Sequence, residues 1–362
     1  MSEQPFVPPP SPYIVREFND RGTQWLLEDP LFLRDLVRIL DSSLADRLDF
    51  IRAERVNRTF IPANLQKRES DLIYKIPYRT GEIEVLVYLL LEQQTQPDRT
   101  MPYRILRYTS ELWDTQERAW KDQHGDAQSM RLYPVIPIVF YTGEERWSGS
   151  MQLAGIMDMP DELHRFVPSW DTLFLNLKET PEEALTQFAS ALGWALRVLQ
   201  AEKKPLAEME RVLTEAMAGI EELVPDQSGQ WLRCAWFLLQ LVFHRRGRTE
   251  APSLMRMVVE SARQSKFHEG REEVEMQSYA EYLTEEGEAR GEARGEVIGE
   301  RKLLLRLGSG RLGPPDLMTL TTLEAIQSTE ILERLGLRLY QVGSWQELVS
   351  DVTDHDRPTD AN

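Results

Sequence analysis

Residues 71–98 read DLIYKIPYRTGEIEVLVYLLLEQQTQPD, and this stretch decides the fold. It contains two apolar segments, the first opening at Asp71, with the turn-forming sequence Arg79-Thr-Gly81 between them. The second segment, Glu84–Glu92, is apolar on both faces, which is typical of a central strand. The stretch therefore predicts a β-hairpin whose second strand is buried and ends in a carboxylate.

Helical and strand patterns alternate on both sides of this hairpin. Apolar residues at i+3 and i+4 spacing predict helices, and short apolar segments between turn residues predict strands. The predicted elements are helices at about 18–28 and 30–48, strands at 55–62, 71–77 and 84–92, a helix at 98–121, and strands at 133–141 and 172–177. This alternation predicts the α/β class, with a mixed sheet flanked by helices.

The sequence beyond the last strand is helical in character. Gly287, Gly291, Gly295 and Gly299 repeat every four residues in a Glu-rich segment, and each glycine costs a helix about 1 kcal/mol relative to alanine. We expect either a linker helix ordered by self-association or a charged, disordered spacer. The predicted organisation is a disordered arm (1–14), an α/β domain (15–180), a helical extension (181–265), a Gly/Glu-rich linker helix (266–300), a small helical C-terminal module (301–350) and a disordered tail (351–362).

The composition excludes several classes of protein and site. No segment approaches the roughly 20 apolar residues of a membrane span, and the N-terminus lacks the pattern of a signal peptide, so we expect a cytoplasmic protein. The single cysteine, Cys234, excludes an intramolecular disulfide and a cysteine-based zinc cluster, and the five histidines are scattered. The net charge of −17 (42 basic and 59 acidic residues) argues against indiscriminate nucleic-acid binding.

The hairpin carries the polar residues that metal-assisted phosphodiester cleavage requires. Asp71 opens one strand, Glu92 ends the next, and Gln94 lies two residues further, on the same side if the strand continues. Carboxylates hold hard divalent cations such as Mg²⁺, and a nearby polar group can orient the attacking water. The alternative is that Asp71 and Glu92 are ordinary solvated strand ends. The apolar strand before Glu92 favours a site, because a charge at its end must be paired or coordinated.

Several motifs in order give the chain a family resemblance. The motifs are Phe60-Ile61, Arg68–Tyr74, Leu91–Asp98, Met101–Tyr108, and Tyr133–Tyr141 followed by Gly143 and Trp147. Together they resemble the Rpn family of recombination-promoting nucleases. The Gly/Glu repeat is similar to the tails of such proteins, and the C-terminal module resembles a small helical domain of unknown function that is often appended to them. The resemblance implies a PD-(D/E)XK nuclease fold and DNA as the substrate.

The resemblance also implies roles for particular residues. Asp71 and Glu92 match the carboxylates that coordinate Mg²⁺ or another divalent cation, with a further ligand in the carbonyl of Gln93. Gln94 stands where the motif has lysine, so it can orient water by hydrogen bonding but supplies no positive charge. Asp20 matches an Asp that family members commonly show in the first helix, but the basic residues that accompany it there are missing. A helix N-cap is the alternative for Asp20.

Basic residues near the hairpin are candidates for contacting DNA phosphates. Arg104 and Arg107 lie one turn apart on the following helix, and Lys67 and Arg68 precede Asp71. The alternative for the two arginines is a solvated helix face. Lys75 is a further candidate of the same kind.

Other features favour structural roles. Glu82 and Glu84 could assist the metal, but solvation at a turn and strand edge is the simpler interpretation. Gly308–Gly313 fits G-x-G-x-x-G only by letter and indicates a helix-ending loop. The apolar residues of 231–241 predict a core or an oligomer face around an inert Cys234, and Gly143 with Trp147 shapes a loop.

The sequence therefore predicts a metal-dependent DNA endonuclease that uses Asp71, Glu92 and Gln94. One alternative is an inactive nuclease-like scaffold that acts through protein or DNA binding, including a homo-oligomer formed through the helical extension and the linker. Another is strand transfer, which would use the same carboxylates with a DNA 3′-hydroxyl as nucleophile. Cleavage specificity, oligomeric state and the role of the C-terminal module do not follow from the sequence.

Overall fold

The computed structural model describes residues 18–56, 72–80, 83–92, 97–223, 228–266 and 271–350. By internal contacts the chain divides into two compact units, 1–280 and 281–362. The first contains a mixed sheet flanked by helices and the second is helical, so the predicted α/β class is confirmed. The finer domain boundaries at 180, 265 and 300 stay predictions.

The sheet has five strands in the order β1-β2-β3-β4-β5. The first three pair antiparallel, and β4 and β5 continue the sheet in parallel with β3. The strands are β1 (Glu54–Arg55), β2 (Leu72–Pro77), β3 (Glu84–Glu92), β4 (Val135–Tyr141) and β5 (Leu173–Asn176). The predicted bounds of β3 are confirmed. The predicted first strand at 55–62 overlaps β1 only at Arg55, since Val56 lies beyond the end of β1 and residues 57–62 lie outside the described part.

Helices precede the sheet, connect β3 to β4 and follow the sheet. In the first unit they are α1 (Phe18–Leu27), α2 (Pro30–Leu40), α3 (Ser42–Arg47), α4 (Met101–His124), α5 (Glu182–Thr186), α6 (Ala191–Gln200), α7 (Leu206–Glu221), α8 (Ser228–Arg245) and α9 (Ala251–Gln264). A tenth helix, α10 (Arg271–Leu312), runs across the division between the units.

The prediction of one helix over 30–48 is wrong, because Asp41 divides it into α2 and α3. The Asp41 backbone is extended, and its Oδ1 accepts a hydrogen bond of 2.9 Å from the Leu44 amide. This is the geometry of an N-cap, which satisfies an amide that the new helix would leave unpaired. Asp29 caps α2 in the same way, ahead of Pro30 at the first helical position.

Both faces of the sheet are covered. One face packs on α4 through a core that includes Ile73, Tyr88, Ile105 and Tyr108. On the other face, the Tyr74 hydroxyl donates to the Leu27 carbonyl at 3.1 Å and ties β2 to α1.

The helical extension packs against the first helices. Arg233 of α8 donates to the Trp25 carbonyl at 2.8 Å, and its guanidinium lies 4.9 Å from the Trp25 ring centroid. The predicted core role of residues 231–241 is confirmed for Trp231, Trp236 and Cys234, which are all buried. Burial raises the pKa of the Cys234 thiol to about 12, so it is a neutral core group at physiological pH.

The second unit is built on the C-terminal part of α10 and three short helices. These are α11 (Leu317–Ala325), α12 (Thr329–Arg338) and α13 (Trp345–Val349). The Gly/Glu repeat is helical here, so the disordered alternative does not hold. The prediction of a helix-ending loop from Gly308 is wrong, because the helix continues through Gly308 and Gly310 to Leu312. It ends at Gly313, whose φ of +83° favours glycine.

None of the described helices is long and apolar enough to cross a membrane.

Candidate active site at the carboxyl edge of the sheet

The carboxyl ends of three strands and the start of a fourth meet at one edge of the sheet. Glu92 at the end of β3 is paired with Tyr141 at the end of β4, and Tyr141 with Asn176 at the end of β5. β2 runs the other way, so its first residue, Leu72, lies opposite Leu89 near the same edge. We call this the carboxyl edge.

Of the two predicted carboxylates, Glu92 ends a strand at this edge. Asp71 directly precedes Leu72, and consecutive Cα atoms are about 3.8 Å apart, although Asp71 itself lies outside the described residues. The structure describes Glu92 by its backbone, and along β3 Glu92 lies an even number of residues after Leu86 and Tyr88. Glu92 therefore lies at this edge as the end of β3, and β2, which directly follows Asp71, starts near the same edge.

Four other predicted site residues lie outside the described part of the chain. They are Gln94, Gln93, Lys67 and Arg68. Their roles as water-orienting group, metal ligand and DNA contacts stay predictions.

The loop after β4 is held against the edge by aromatic packing. The Tyr141 and Trp147 rings meet edge to face at a centroid distance of 5.0 Å. The Tyr141 hydroxyl donates to the Glu145 carbonyl at 2.9 Å, and the Trp147 indole donates to the Gly149 carbonyl at 3.0 Å. The predicted structural role of Trp147 is confirmed, and the residue that neighbours Glu92 in the sheet is fixed in place.

An ion pair fixes the start of α4, directly after the segment that contains Gln94. Arg104 Nη1 lies 2.8 Å from Asp98 Oδ2, and the Thr100 amide and hydroxyl donate to Asp98 Oδ1 at 2.8 and 2.6 Å. Burial raises the pKa of the Asp98 carboxyl, but the hydrogen bonds from Thr100 and Arg104 outweigh burial and hold that pKa below its ordinary value. Asp98 is thus an ionised anchor for the helix that follows the site.

Arg104 and Arg107 have different environments. Arg104 is only 8% exposed and is bound to Asp98, which disfavours its predicted contact with DNA. The Arg107 side chain is 46% exposed, lies 3.7 Å from Glu111, and stands 5.1 Å from the ring centroid of the buried Tyr108. Of these two predicted DNA contacts, the geometry favours Arg107.

Glu84 is too far from Glu92 to share a metal ion with it, and Lys75 is paired with Glu84. Glu84 precedes Glu92 by eight residues in one strand, which corresponds to roughly 26 Å at about 3.3 Å per residue. Lys75 Nζ lies 2.8 Å from Glu84 Oε2 and 5.2 Å from the Tyr133 ring centroid. Glu84 therefore cannot share a metal ion with Glu92, and the structural interpretation of Glu84 holds. Glu82 lies outside the described residues.

Asp20 lies in the first turn of α1, which begins at Phe18, so the N-cap alternative is wrong.

The anchoring role of Asp98 does not follow from the sequence interpretation. Asp98 and Arg104 are six residues apart, a spacing that does not place two side chains on one helix face. The available signal is a Pro-Asp pair just before a predicted helix, followed by Thr100, since acidic residues there commonly bind the first amides of the helix.

The predicted metal ligands have the donor chemistry that a hard divalent cation requires. The carboxylates of Asp71 and Glu92 and the carbonyl of Gln93 offer oxygen ligands of the kind that Mg²⁺ takes, and of these three residues the structure describes only the backbone of Glu92. The buried, protonated Cys234 offers no competing thiolate. Within the described ranges, no three His, Cys, Asp or Glu side chains are grouped to hold a metal, and Asp71 lies outside those ranges.

Comparison with known proteins places these features in a family. Residues 20–226 match the family described as "Putative transposase, YhgA-like". The chain is also similar to recombination-promoting nuclease RpnC of Escherichia coli strain K12, with 27% identity over 112 residues, and to recombination-promoting nuclease RpnD of Escherichia coli O157:H7, with 27% identity over 119 residues. These matches cover 31% and 32% of this chain, and 34% and 42% of the two relatives. No solved structure matches the chain significantly.

Proposed function

Because the chain belongs to the YhgA-like family, whose match covers more than half of it, we propose that it is a metal-dependent DNA endonuclease. The observation that carries the proposal is the position of Glu92 at the carboxyl edge, with β2 starting at Leu72 close by. The names of the relatives support nuclease chemistry. DNA is the partner that this chemistry implies.

Two acidic positions near one end of a strand pair suit a single divalent cation. Asp71 and Glu92 would hold Mg²⁺, with the carbonyl of Gln93 as a further ligand. A bound divalent cation lowers the pKa of water and stabilises negative charge on a phosphate. Gln94 accepts or donates hydrogen bonds to orient the attacking water toward the phosphorus.

The substitution of lysine by glutamine has a chemical consequence. A lysine at position 94 would supply a positive charge to the pentacoordinate phosphorane-like transition state, whereas Gln94 offers only hydrogen bonds. Other cations of the chain must then provide more of the charge that binds the DNA backbone. Arg107 is one such group, since it is half exposed on the helix that starts beside the edge.

Conversion of supercoiled plasmid to nicked and linear forms tests the proposal. Purified full-length protein is incubated with plasmid in Mg²⁺ and, in parallel, in EDTA. Cleavage that requires the metal is the expected result. A folded protein that leaves the plasmid intact in Mg²⁺, Mn²⁺ and Ca²⁺ would contradict it.

A nuclease-like scaffold without activity is the second candidate. The net charge of −17 favours it, because a strongly acidic chain is repelled by DNA at long range. Under this alternative, Mg²⁺ would neither stabilise the fold nor promote DNA cleavage. Strand transfer differs from hydrolysis only in its nucleophile, and joining of a labelled oligonucleotide to plasmid distinguishes the two.

A further inference from the structure

A cleft of about 430 Å³ opens beside the carboxyl edge, at the loops that follow β4 and β5. Its lining includes four basic side chains, those of Lys178, Arg197, Lys203 and Lys204, against two acidic ones, those of Glu144 and Glu182. We call it the basic cleft. Two further carboxylates beside it, those of Glu202 and Glu208, pair with Lys178 and Lys204, so the positive charge that faces solvent is that of the exposed Lys203 and Lys204.

The basic cleft lies at the same edge as Glu92. Asn176, the last residue of β5, is aligned through Tyr141 with Glu92, two strand spacings or about 10 Å away. Lys178 follows Asn176 by two residues, and Glu144 follows Tyr141 by three. The roughly 10 Å between the backbones of Glu92 and Asn176 corresponds to about three nucleotides at 3.4 Å per step.

The floor of the basic cleft is rigidly held. Lys178 is mostly buried and lies 3.3 Å from both Glu144 and Glu202. Gln200 Nε2 donates to the carbonyls of Leu177 and Thr180, both at 2.7 Å, which fixes the turn that carries Lys178. Groups held in this way are pre-organised, so a ligand does not have to order them.

The segment that carries Lys203 and Lys204 is also held by its backbone. Arg246 Nη1 donates to the Glu202 carbonyl at 2.8 Å and to the Lys204 carbonyl at 2.7 Å. The side chains themselves extend into solvent, with exposures of 63% for Lys203 and 55% for Lys204. Their partners, Glu144 at 3.2 Å and Glu208 at 3.6 Å, form exposed ion pairs, which are weak and readily exchanged for another anion.

We propose that the basic cleft binds a phosphate of the DNA backbone a few nucleotides from the bond that is cleaved. This rests on the proposed function, in which cations other than residue 94 provide the charge that binds the DNA backbone. Lys203 and Lys204 exchange Glu144 and Glu208 for phosphate oxygens. Lys178 keeps its ion pairs with Glu144 and Glu202, Arg197 keeps its ion pair with Glu182, and these two basic side chains form the floor. The cleft therefore orients the strand relative to Glu92 and takes no part in the chemical step.

DNA binding by the full-length protein tests this proposal. A labelled duplex is titrated in EDTA, so that binding is measured without cleavage, over a series of salt concentrations. The test variant is Lys203→Ala/Lys204→Ala, and Lys203→Arg/Lys204→Arg is the conservative variant. The matched control is Lys121→Ala/Arg131→Ala. Both its residues are exposed, and they lie near the end of α4 and before β4, at the opposite edge of the sheet.

The test variant should bind DNA about tenfold more weakly than wild type at moderate salt. Its plot of log affinity against log salt should be shallower by about one, because each phosphate that is no longer neutralised removes roughly 0.9 from the slope. The arginine variant and the control should retain the wild-type slope. The unfolding temperature should be the same for all four proteins, because the changed side chains are largely exposed.

Different outcomes separate this proposal from the proposed function. If wild type cleaves DNA and the test and control variants have equal affinities and slopes, the cleft is only a structural ion-pair network and the nuclease proposal stands. If wild type neither binds nor cleaves DNA, both proposals are overturned.

Discussion

Arg104 Nη1 lies 2.8 Å from Asp98 Oδ2, and this ion pair joins the second turn of α4 to the segment that leaves the site strand. Both side chains are largely withdrawn from water, with exposures of 10% and 18%. In the sequence, Gln94 thus lies between a paired strand end and this ion pair.

Removing one partner of this ion pair should destabilise the first unit. Arg104→Ala leaves Asp98 charged and partly buried, which costs about 3 kcal/mol in comparable cases. Denaturant unfolding measures the change in stability. Arg107→Ala, three residues further on the same helix and far more exposed, is the control and should change the free energy of unfolding by less than about 1 kcal/mol. Equal destabilisation in the two variants would contradict the assigned role of Arg104.

Arg107→Ala should instead weaken DNA binding. Without the Arg107 guanidinium, one phosphate is no longer neutralised, so the affinity falls and the salt slope decreases by about one. Titration of a labelled duplex with Arg104→Ala and Arg107→Ala measures this effect. A wild-type salt slope in Arg107→Ala would remove Arg107 from the DNA-binding surface.

Asp35 predicts a pH dependence of stability. Its side chain is 2% exposed, and burial, opposed by Arg34, raises its pKa from 3.8 to about 6. The folded state therefore keeps this proton to a higher pH than the unfolded state, and the free energy of unfolding falls as pH rises between these two values. Asp35→Asn should be more stable than wild type by up to about 3 kcal/mol near neutral pH and should lose this advantage in acid.

Thermal unfolding of wild type and Asp35→Asn across that pH range measures the effect. Asp46→Asn, at an exposed position of α3, is the control and should show no such pH-dependent gain. A difference between Asp35→Asn and wild type that does not vary with pH would contradict the raised pKa.

Two glycines of α10 predict opposite effects of alanine. A Cβ at Gly308 would lie 2.1 Å from the Trp345 ring, whereas a Cβ at Gly310 would meet nothing within 4 Å. Gly308→Ala should therefore destabilise the second unit by about 1–3 kcal/mol through overpacking. Gly310→Ala should stabilise it by about 0.5–1 kcal/mol through helix propensity.

Hydrogen exchange of the backbone amides in 317–349 reports on the second unit directly. Protection should fall in Gly308→Ala and rise or stay the same in Gly310→Ala. Unchanged protection in Gly308→Ala would mean that the close packing of Trp345 on Gly308 does not stabilise the unit.

The strand that decides the fold could be predicted to the residue. Glu84–Glu92 is a continuous apolar segment between polar turns, and burial on both faces leaves few other structures for it. The division of the 30–48 pattern could not be predicted in this way, because the apolar periodicity continues across Asp41. Only the hydrogen bond to Leu44 ends one helix and starts the next.

The site was less predictable, because its parts are joined by tertiary contacts. Arg104 has the sequence signature of a solvated phosphate contact, and only the fold brings it onto Asp98. The basic cleft combines residues from Glu144 to Lys204, a separation at which no local pattern relates Lys178 to Lys203. Gln94 and Asp71, outside the described residues, stay predictions from the sequence.

The central claim is that Glu92 holds the catalytic metal, and the rate of plasmid nicking in Mg²⁺ by wild type, Glu92→Ala and Glu84→Gln tests it most directly. Glu84 lies in the same strand, far from the edge, so it controls for the removal of a strand carboxylate. With all three proteins folded to the same extent, Glu92→Ala should nick DNA roughly a hundredfold more slowly or not at all, and Glu84→Gln at the wild-type rate. Wild-type nicking by Glu92→Ala would contradict the account.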